Sequence, residues 1–370
     1  MNARVPVEVF PPGEFLREEL DSREWSQQEL ADILGRPPRL ISEIISGKRS
    51  ITPETAKGLG EAFGTGAEYW MNLESLYQLS KVKPADESVA RRAVLYSRFP
   101  VREMVLRGWI KASENLDVLE QRFCEFFELK SIDMEPSLSH AARKTGEDVP
   151  PSMLQLAWLF RVRALAKQQV VGSYSRDNLI AAVSKLSALL SAPEEARHVS
   201  RILNDAGVRV VFVEALPGSK IDGACLWLSD DCPVIGMSLR FDRIDNFWFV
   251  LRHEIEHVLN GDGKDGGVID TDVGGAAVST SKAEILANEA AANFCTPRLQ
   301  MDDFIARVQP YFSEQRVLLF AQRLGLHPGL VVGQLNRRLG RNDLLKRHQV
   351  KIRSSLIPFA DVDGWRVSSD

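Results

Sequence analysis

The chain has 370 residues, 44% of them hydrophobic and 26% charged, with a net charge of −4. That length holds two or three domains with a proper core, and the balance is that of a globular protein. No run of about 18 apolar residues occurs, so no membrane span is expected. The acidic N-terminus lacks an apolar stretch followed by small residues, so no secretory signal is expected either. Cys124, Cys225, Cys232 and Cys295 show no C-x-x-C spacing. That points to a reducing, cytoplasmic setting and against a cysteine-built zinc site. The mild net charge gives no global sign of nucleic acid, so any DNA contact must rest on a local patch.

From Pro11 to about Leu79 the sequence reads as short helices with tight turns. Phe15, Leu16 and Leu20 have helical spacing in Glu14–Ser22. Ser26 caps Gln27–Leu34, with Glu29 completing a capping box and Gly35 ending the helix. Pro38–Ser46 turns Leu40, Ile41, Ile44 and Ile45 inward. Thr52 and Pro53 open a fourth helix, and a fifth begins near Gly66. Two short helices joined by a Gly-containing turn form a helix-turn-helix pattern.

Ser26–Gly35 followed by Ile41–Arg49 resembles the Cro/repressor family. The flanking PGEFLREEL and GKRSITPETAKGLGEAFGTGAEYWMNLESLY resemble its HigA-type antitoxins. The resemblance implies a double-stranded operator DNA partner, with the third helix in the major groove, and a homodimer reading two half-sites. Carried over residue by residue, Gln27 touches phosphate, Arg36, Arg39, Ser42 and Glu43 lie at or near the base-reading surface, and Lys48 and Arg49 lie beside the backbone. Arg39 suits a bidentate pair with guanine. Two features depart from the family. Pro37-Pro38 stands where a Ser or Thr cap is usual. Residues 1–80 carry eight Lys and Arg against thirteen Asp and Glu, a net of −5.

Lys81–Ser88 is polar, contains Pro84 and reads as a linker or helix start. Ser88–Leu190 is mostly helical: Val101–Trp109, Asn115–Phe127, then Ser152–Gln168 after Pro150-Pro151, and Ala181–Leu190, with Pro193–Ala206 following. Arg143, Lys144, Arg161, Arg163 and Lys167 read as a solvated helix face rather than a nucleic-acid surface.

Strand signals begin after Gly207, in Val208–Leu216, Asp222–Leu228 and Pro233–Leu239, with Asp230-Asp231 as a hairpin turn. Next comes His253-Glu254-Ile255-Glu256-His257, an H-E-x-x-H set in an apolar helix of Phe247, Trp248, Phe249, Val250, Leu251, Val258 and Leu259. Residues four apart share a helix face, so both imidazoles can reach one zinc ion beside Glu254. Strands followed by a metal helix is the zincin order, and Pro233–Leu239 is assigned as the strand that pairs with an extended substrate. Asn260–Gly275 is Gly/Asp-rich and reads as a flexible cap or insertion. A catalytic zinc needs a third protein ligand, and the helix Ser281–Asn293 offers Glu284 and Glu289.

His253–His257, then Glu284-Ile285-Leu286-Ala287-Asn288, then Asn293–Pro297 resemble the ImmA/IrrE family of metallopeptidases. The resemblance runs from about Arg201 to Pro297, and His327–Leu335 is similar to the family's C-terminal helical part. It implies Zn2+ held by His253, His257 and Glu284, with Glu254 as general base in cleavage of a partner protein, a repressor or antitoxin-like substrate. The family's usual Phe is Ala290 here. His327, His348 and Tyr311 are the candidates for an oxyanion donor.

The expected architecture is multidomain. A helix-turn-helix DNA-binding domain spans residues 1–80, a helical middle region 81–200, an α+β zincin-like metallopeptidase domain 201–300 and a helical extension 301–370. The expected function is a DNA-binding transcriptional regulator with a zinc-dependent endopeptidase. The alternative is an antitoxin-like repressor whose metal domain is a non-proteolytic sensor or interaction module.

Overall fold

Ser26 accepts a hydrogen bond from the Glu29 backbone, and Glu29 accepts one from the Ser26 backbone, which fixes the start of a helix at Gln27. Side chains of Thr52, Asn115, Ser152, Ser175 and His327 likewise cap the starts of five further helices. The computed structural model describes residues 9–82, 87–138, 143–144, 150–264, 268–271 and 281–365. The readings placed on Lys81–Ser88 and Asn260–Gly275 lie partly outside these residues, as do the side chains of Arg143 and Lys144. The chain is mostly helical with a small mixed sheet, and it forms two compact units, Met1–Ala90 and Arg91–Asp370.

In the first unit, α1 (Pro12–Ser22), α2 (Gln27–Leu34), α3 (Pro38–Ile45), α4 (Pro53–Phe63) and α5 (Ala67–Lys81) follow one another. Gly35 ends α2 at φ 61°, a left-handed conformation that glycine adopts without steric cost. Thr52 caps α4. Leu16, Leu30, Ile41, Leu59 and Trp70 meet in one fully buried core. Within that core, Glu74 of α5 accepts the Ile51 backbone N–H at 2.9 Å.

α6 (Glu87–Arg98) crosses the division between the units. The second unit continues with α7 (Val101–Leu106), α8 (Leu116–Phe126), β1 (Arg143–Lys144), α9 (Met153–Ala166), α10 (Arg176–Ser187), a 3-10 turn at Pro193–His198 and α11 (Val199–Asp205). After it come β2 (Arg209–Val213), β3 (Ile221–Trp227), β4 (Pro233–Met237), α12 (Ile244–Asn260), β5 (Val268–Thr271) and α13 (Lys282–Cys295). The unit closes with α14 (Arg298–Val308), α15 (Glu314–Leu324), α16 (Pro328–Arg338), α17 (Arg353–Leu356) and β6 (Val362–Asp363). Among the described residues no helix is long and apolar enough to cross a membrane.

The six strands lie in the order β1-β5-β3-β4-β2-β6. Side chains alternate between two cores. Val210, Phe212, Cys225, Ile235 and Met237 join α12 in one, while Val211, Val213, Ala224, Leu226 and Val234 join α8 and α9 in the other. Helices on both faces explain why these strands read as continuous apolar runs. A Cβ at Gly236 would lie 2.8 Å from Val162, so α9 rides close on the sheet there. The stretches read as 81–200 and 201–300 share these cores. α14, α15 and α16 add a further cluster around Met301, Phe320 and Leu335.

Several expectations are corrected. β4 is hydrogen-bonded on both sides, antiparallel to β3 and parallel to β2. Its backbone groups are already paired, so Pro233–Leu239 has no edge to offer a substrate strand. The Asn260–Gly275 stretch contains β5, which pairs with β3 and β1. Val101–Trp109 stops being helical after Leu106. The helix read at Ala181–Leu190 is Arg176–Ser187, started by Ser175, which accepts the Asn178 N–H. Pro193–Ala206 divides into the 3-10 turn and α11. The Arg161, Arg163 and Lys167 side chains pair with Asp363, Glu128 and Glu128 respectively, as expected of a structural face.

Candidate metal centre and the exposed face of the first unit

α12 is buried along nearly its whole length, so its polar residues at 253, 254 and 257 stand inside the core. The Nε2 atoms of His253 and His257 are 3.1 Å apart. α13 packs against α12 through a stripe of Glu284, Ala287, Ala291 and Cys295, at i, i+3, i+7 and i+11. The small alanines let the two helices approach closely, and the stripe carries Glu284 to the imidazoles. Its Oε1 lies 3.0 Å from His257 Nε2 and its Oε2 lies 3.4 Å from His253 Nε2. Glu289, the rival, falls on the outer face, 60% exposed, and pairs with Arg298.

A fourth acid, which the sequence reading missed, completes the cluster. Asp270 of β5 is 1% exposed, and its Oδ2 lies 3.4 Å from His253 Nε2 and 3.7 Å from His257 Nε2. One ligand atom from each of His253, His257, Asp270 and Glu284 lies within 4.8 Å of the others. Asp262 was missed as well. Its carboxylate meets His257 Nδ1 at 2.9 Å and fixes which ring nitrogen faces the cluster. The β-branched alternation of Val268-Ile269-Asp270-Thr271 is the sequence signal that could have found the strand.

The electrostatics favour a cation at this spot. Burial alone would lower His257, but hydrogen bonds to Asp262 and Glu284 outweigh it and hold the imidazole at about 10. Burial likewise opposes charge on His253, and Asp270 raises it nonetheless. Two imidazole nitrogens with two carboxylates form a donor set suited to zinc, and a metal would take the place of the protons that the acids hold on the imidazoles. The residues therefore fit a divalent metal.

Glu254 is fully buried beside this set. Burial pushes its carboxyl well above the usual carboxylate range, and the neighbouring Asp270 adds to the rise. It is seated against β3, where a Cβ added to Gly223 would lie 2.1 Å from Glu254 Oε1. The three candidate oxyanion donors stand in structural or exposed positions. His327 caps α16 by accepting the Gly329 N–H, His348 bonds Glu314 at 2.7 Å, and Tyr311 is 80% exposed.

In the first unit, Gln27 is exposed at the start of α2, and Arg36, Arg39, Ser42, Lys48 and Arg49 are exposed on and around α3, with Glu43 half-buried among them. Pro37 caps α3 with no side-chain hydrogen bond, and Pro38 takes the first helical position. The arginines are not idle. Glu43 binds Arg39 at 2.7 Å and Arg49 at 3.4 Å, and Arg36 pairs with Glu54. Arg39, then Arg49, hold the Glu43 carboxyl below its usual range.

Residues 16–70 match the family model described as Helix-turn-helix. Among curated relatives, the uncharacterized HTH-type transcriptional regulator YddM of Escherichia coli strain K12 is 33% identical over 84 residues, 22% of this chain and 89% of that protein. Among solved structures, an addiction module antidote protein of the HigA family from Coxiella burnetii is 34% identical, over 21% of this chain and 99% of that one, with a TM-score of 0.19. The Pseudomonas aeruginosa antitoxin HigA with the higBA promoter is 30% identical, over 21% of this chain and 100% of that one, also at 0.19.

Proposed function

Because the chain belongs through residues 16–70 to the helix-turn-helix family, we propose that it is a cytoplasmic, DNA-binding transcriptional regulator whose second unit is a zinc-dependent endopeptidase. In this reading the first unit binds double-stranded operator DNA as a homodimer, as an antitoxin of the HigA kind would. Gln27 donates to a phosphate. Arg39 and Ser42 reach base edges from α3, Arg36 and Glu43 flank them, and Lys48 and Arg49 follow the backbone.

The observation that carries the enzyme half is the buried convergence of His253, His257 and Glu284 beside Glu254. His253 and His257 would hold zinc through Nε2 and Glu284 through a carboxylate oxygen, in an ImmA/IrrE-like site. A bound zinc ion supplies Lewis-acid polarisation of water and of the scissile carbonyl. Glu254 does the proton work. Its carboxylate takes a proton from the attacking water and returns it to the leaving amide nitrogen. Gly223 gives Glu254 the space it stands in. The substrate is a protein partner of the repressor or toxin–antitoxin class.

Full burial of the cluster favours a second reading, in which the unit is a metal-dependent sensor that does not cut. Elemental analysis of the purified chain, together with incubation of candidate partners with wild type and Glu254→Gln, tests both. One zinc per chain with partner cleavage only by wild type supports the peptidase. Zinc without cleavage, and a full regulatory response from Glu254→Gln, supports the sensor. A wild-type chain that binds no zinc removes both.

A further inference from the structure

We propose that Asp270 is a fourth protein ligand of the metal and that it closes the site in the resting fold. This rests on the metal reading above and adds to it a latch. Four ligands each about 2.1 Å from one ion at tetrahedral corners stand about 3.4 Å from one another. Asp270 Oδ2 meets that separation with both imidazoles, at 3.4 and 3.7 Å, as closely as Glu284 does at 3.0 and 3.4 Å. Asp270 does so through the single oxygen Oδ2, whereas Glu284 reaches His257 through Oε1 and His253 through Oε2.

The backbone is shaped to put Asp270 there. β5 pairs with β3, but the register shifts between Ile221 and Gly223, so Ile221 faces Thr271 while Gly223 faces Asp270. The residue bulged out of step is Asp222, which Arg240 holds at 3.0 Å. Bulges re-aim side chains and gather beside functional sites. Before the bulge Ile221 points into the core under α9. After it Gly223 lies against Glu254, on the α12 side. Ile269 goes to the α9 core and Asp270 to the metal cluster. Asp270 is 1% exposed and faces both imidazoles from the β5 side, away from solvent.

The consequence concerns activity. Zinc sites with four protein ligands are closed, and catalytic ones keep a position open. With Asp270 bound no position is left for water, so wild type cuts only through the fraction of molecules in which Asp270 has withdrawn, and its basal cleavage is low but measurable. Withdrawal of Asp270, by loosening of the β3–β5 pairing, opens the site and leaves His253, His257 and Glu284 in place.

The test uses the full chain loaded with cobalt(II), whose visible absorption reports coordination, and azide as the probe of an open position. Wild type should show four-coordinate absorption that azide does not change. Asp270→Ala should keep cobalt, lose part of that absorption and respond to azide. Asp270→Asn, which preserves size and strand pairing, should behave in the same way. Zinc affinity should fall at least about 10–100-fold in both variants, the range for loss of a supporting group, while partner cleavage rises. A wild-type spectrum that shifts with azide overturns the proposal even if neither variant folds. So do variants with unchanged spectrum and affinity. Failure of wild type to bind cobalt or zinc instead removes the metal reading itself, so the two failures are distinct.

Discussion

Gly223→Ala should disable Glu254 without removing the metal. The added Cβ would lie 2.1 Å from Glu254 Oε1 and 2.8 Å from its Cδ. Carbon and oxygen atoms rest about 3.5 Å apart, so the overlap exceeds 1 Å. Gly223 has no left-handed φ, so alanine brings no backbone penalty, only the clash. A carboxyl at the end of a side chain could swing away on a surface, but Glu254 is fully buried. Overpacking of this kind costs about 1–3 kcal/mol. For a unit of this size that lowers Tm by about 2–12 °C, at roughly 2–4 °C per kcal/mol. The effect on chemistry is larger, since a misplacement of about 1 Å costs about 100-fold. The assays are calorimetry, zinc stoichiometry and partner cleavage, run beside wild type. We expect zinc near one per chain and cleavage reduced at least about 100-fold. A Gly223→Ala chain that melts and cuts like wild type would refute the placement of Glu254 against β3.

Glu254→Gln should retain zinc and abolish cleavage, whereas His257→Ala and Glu284→Ala should weaken zinc binding and abolish cleavage together; elemental analysis with the cleavage assay separates them. Glu289→Ala should change neither, because its side chain is 60% exposed and faces Arg298. Arg39→Ala should weaken operator binding by about 1–3 kcal/mol and relax sequence choice, while Lys48→Ala should weaken all sequences alike, both read by gel shift on specific and scrambled DNA. Glu43→Gln should free Arg39 and Arg49, raise affinity for any duplex and steepen the salt dependence by about 1 for each arginine that gains a phosphate; an unchanged salt slope would show that Glu43 does not restrain them.

What was legible in the sequence was local. The Ser26/Glu29 capping box, the Thr52 cap with Pro53 and the Gly35 stop each act within four residues, and each appears in the structure. The apolar helix carrying His253, Glu254 and His257 was legible for the same reason, since i and i+4 share a face. Ser175 escaped notice because it caps without a Glu or Gln three residues on, so the helix it opens was placed too late. β5 escaped because its short β-branched signal of four residues lies inside a Gly/Asp-rich stretch, and the strand is held by pairing with β3, some forty residues upstream. Asp270 sits among several other acids, and only that pairing singles it out. The interior place of β4 was likewise invisible, since strand order is a long-range property.

The two units place an acid on their functional groups in different ways. Glu43 and Glu54 hold Arg39, Arg49 and Arg36 at the surface, where the Arg39 side chain is 87% exposed. Solvent and salt screen such pairs, so a phosphate can replace the carboxylate at little cost. Asp270 is buried, and no solvent weakens its hold. Moving it also breaks strand pairing, because it sits in register with Gly223. DNA binding should therefore need no change in the second unit, whereas opening the metal site should need a rearrangement of β5. On this argument the His257→Ala and Asp270→Ala chains should bind operator DNA as wild type does. A gel shift showing either variant weakened would mean that the metal cluster governs the first unit.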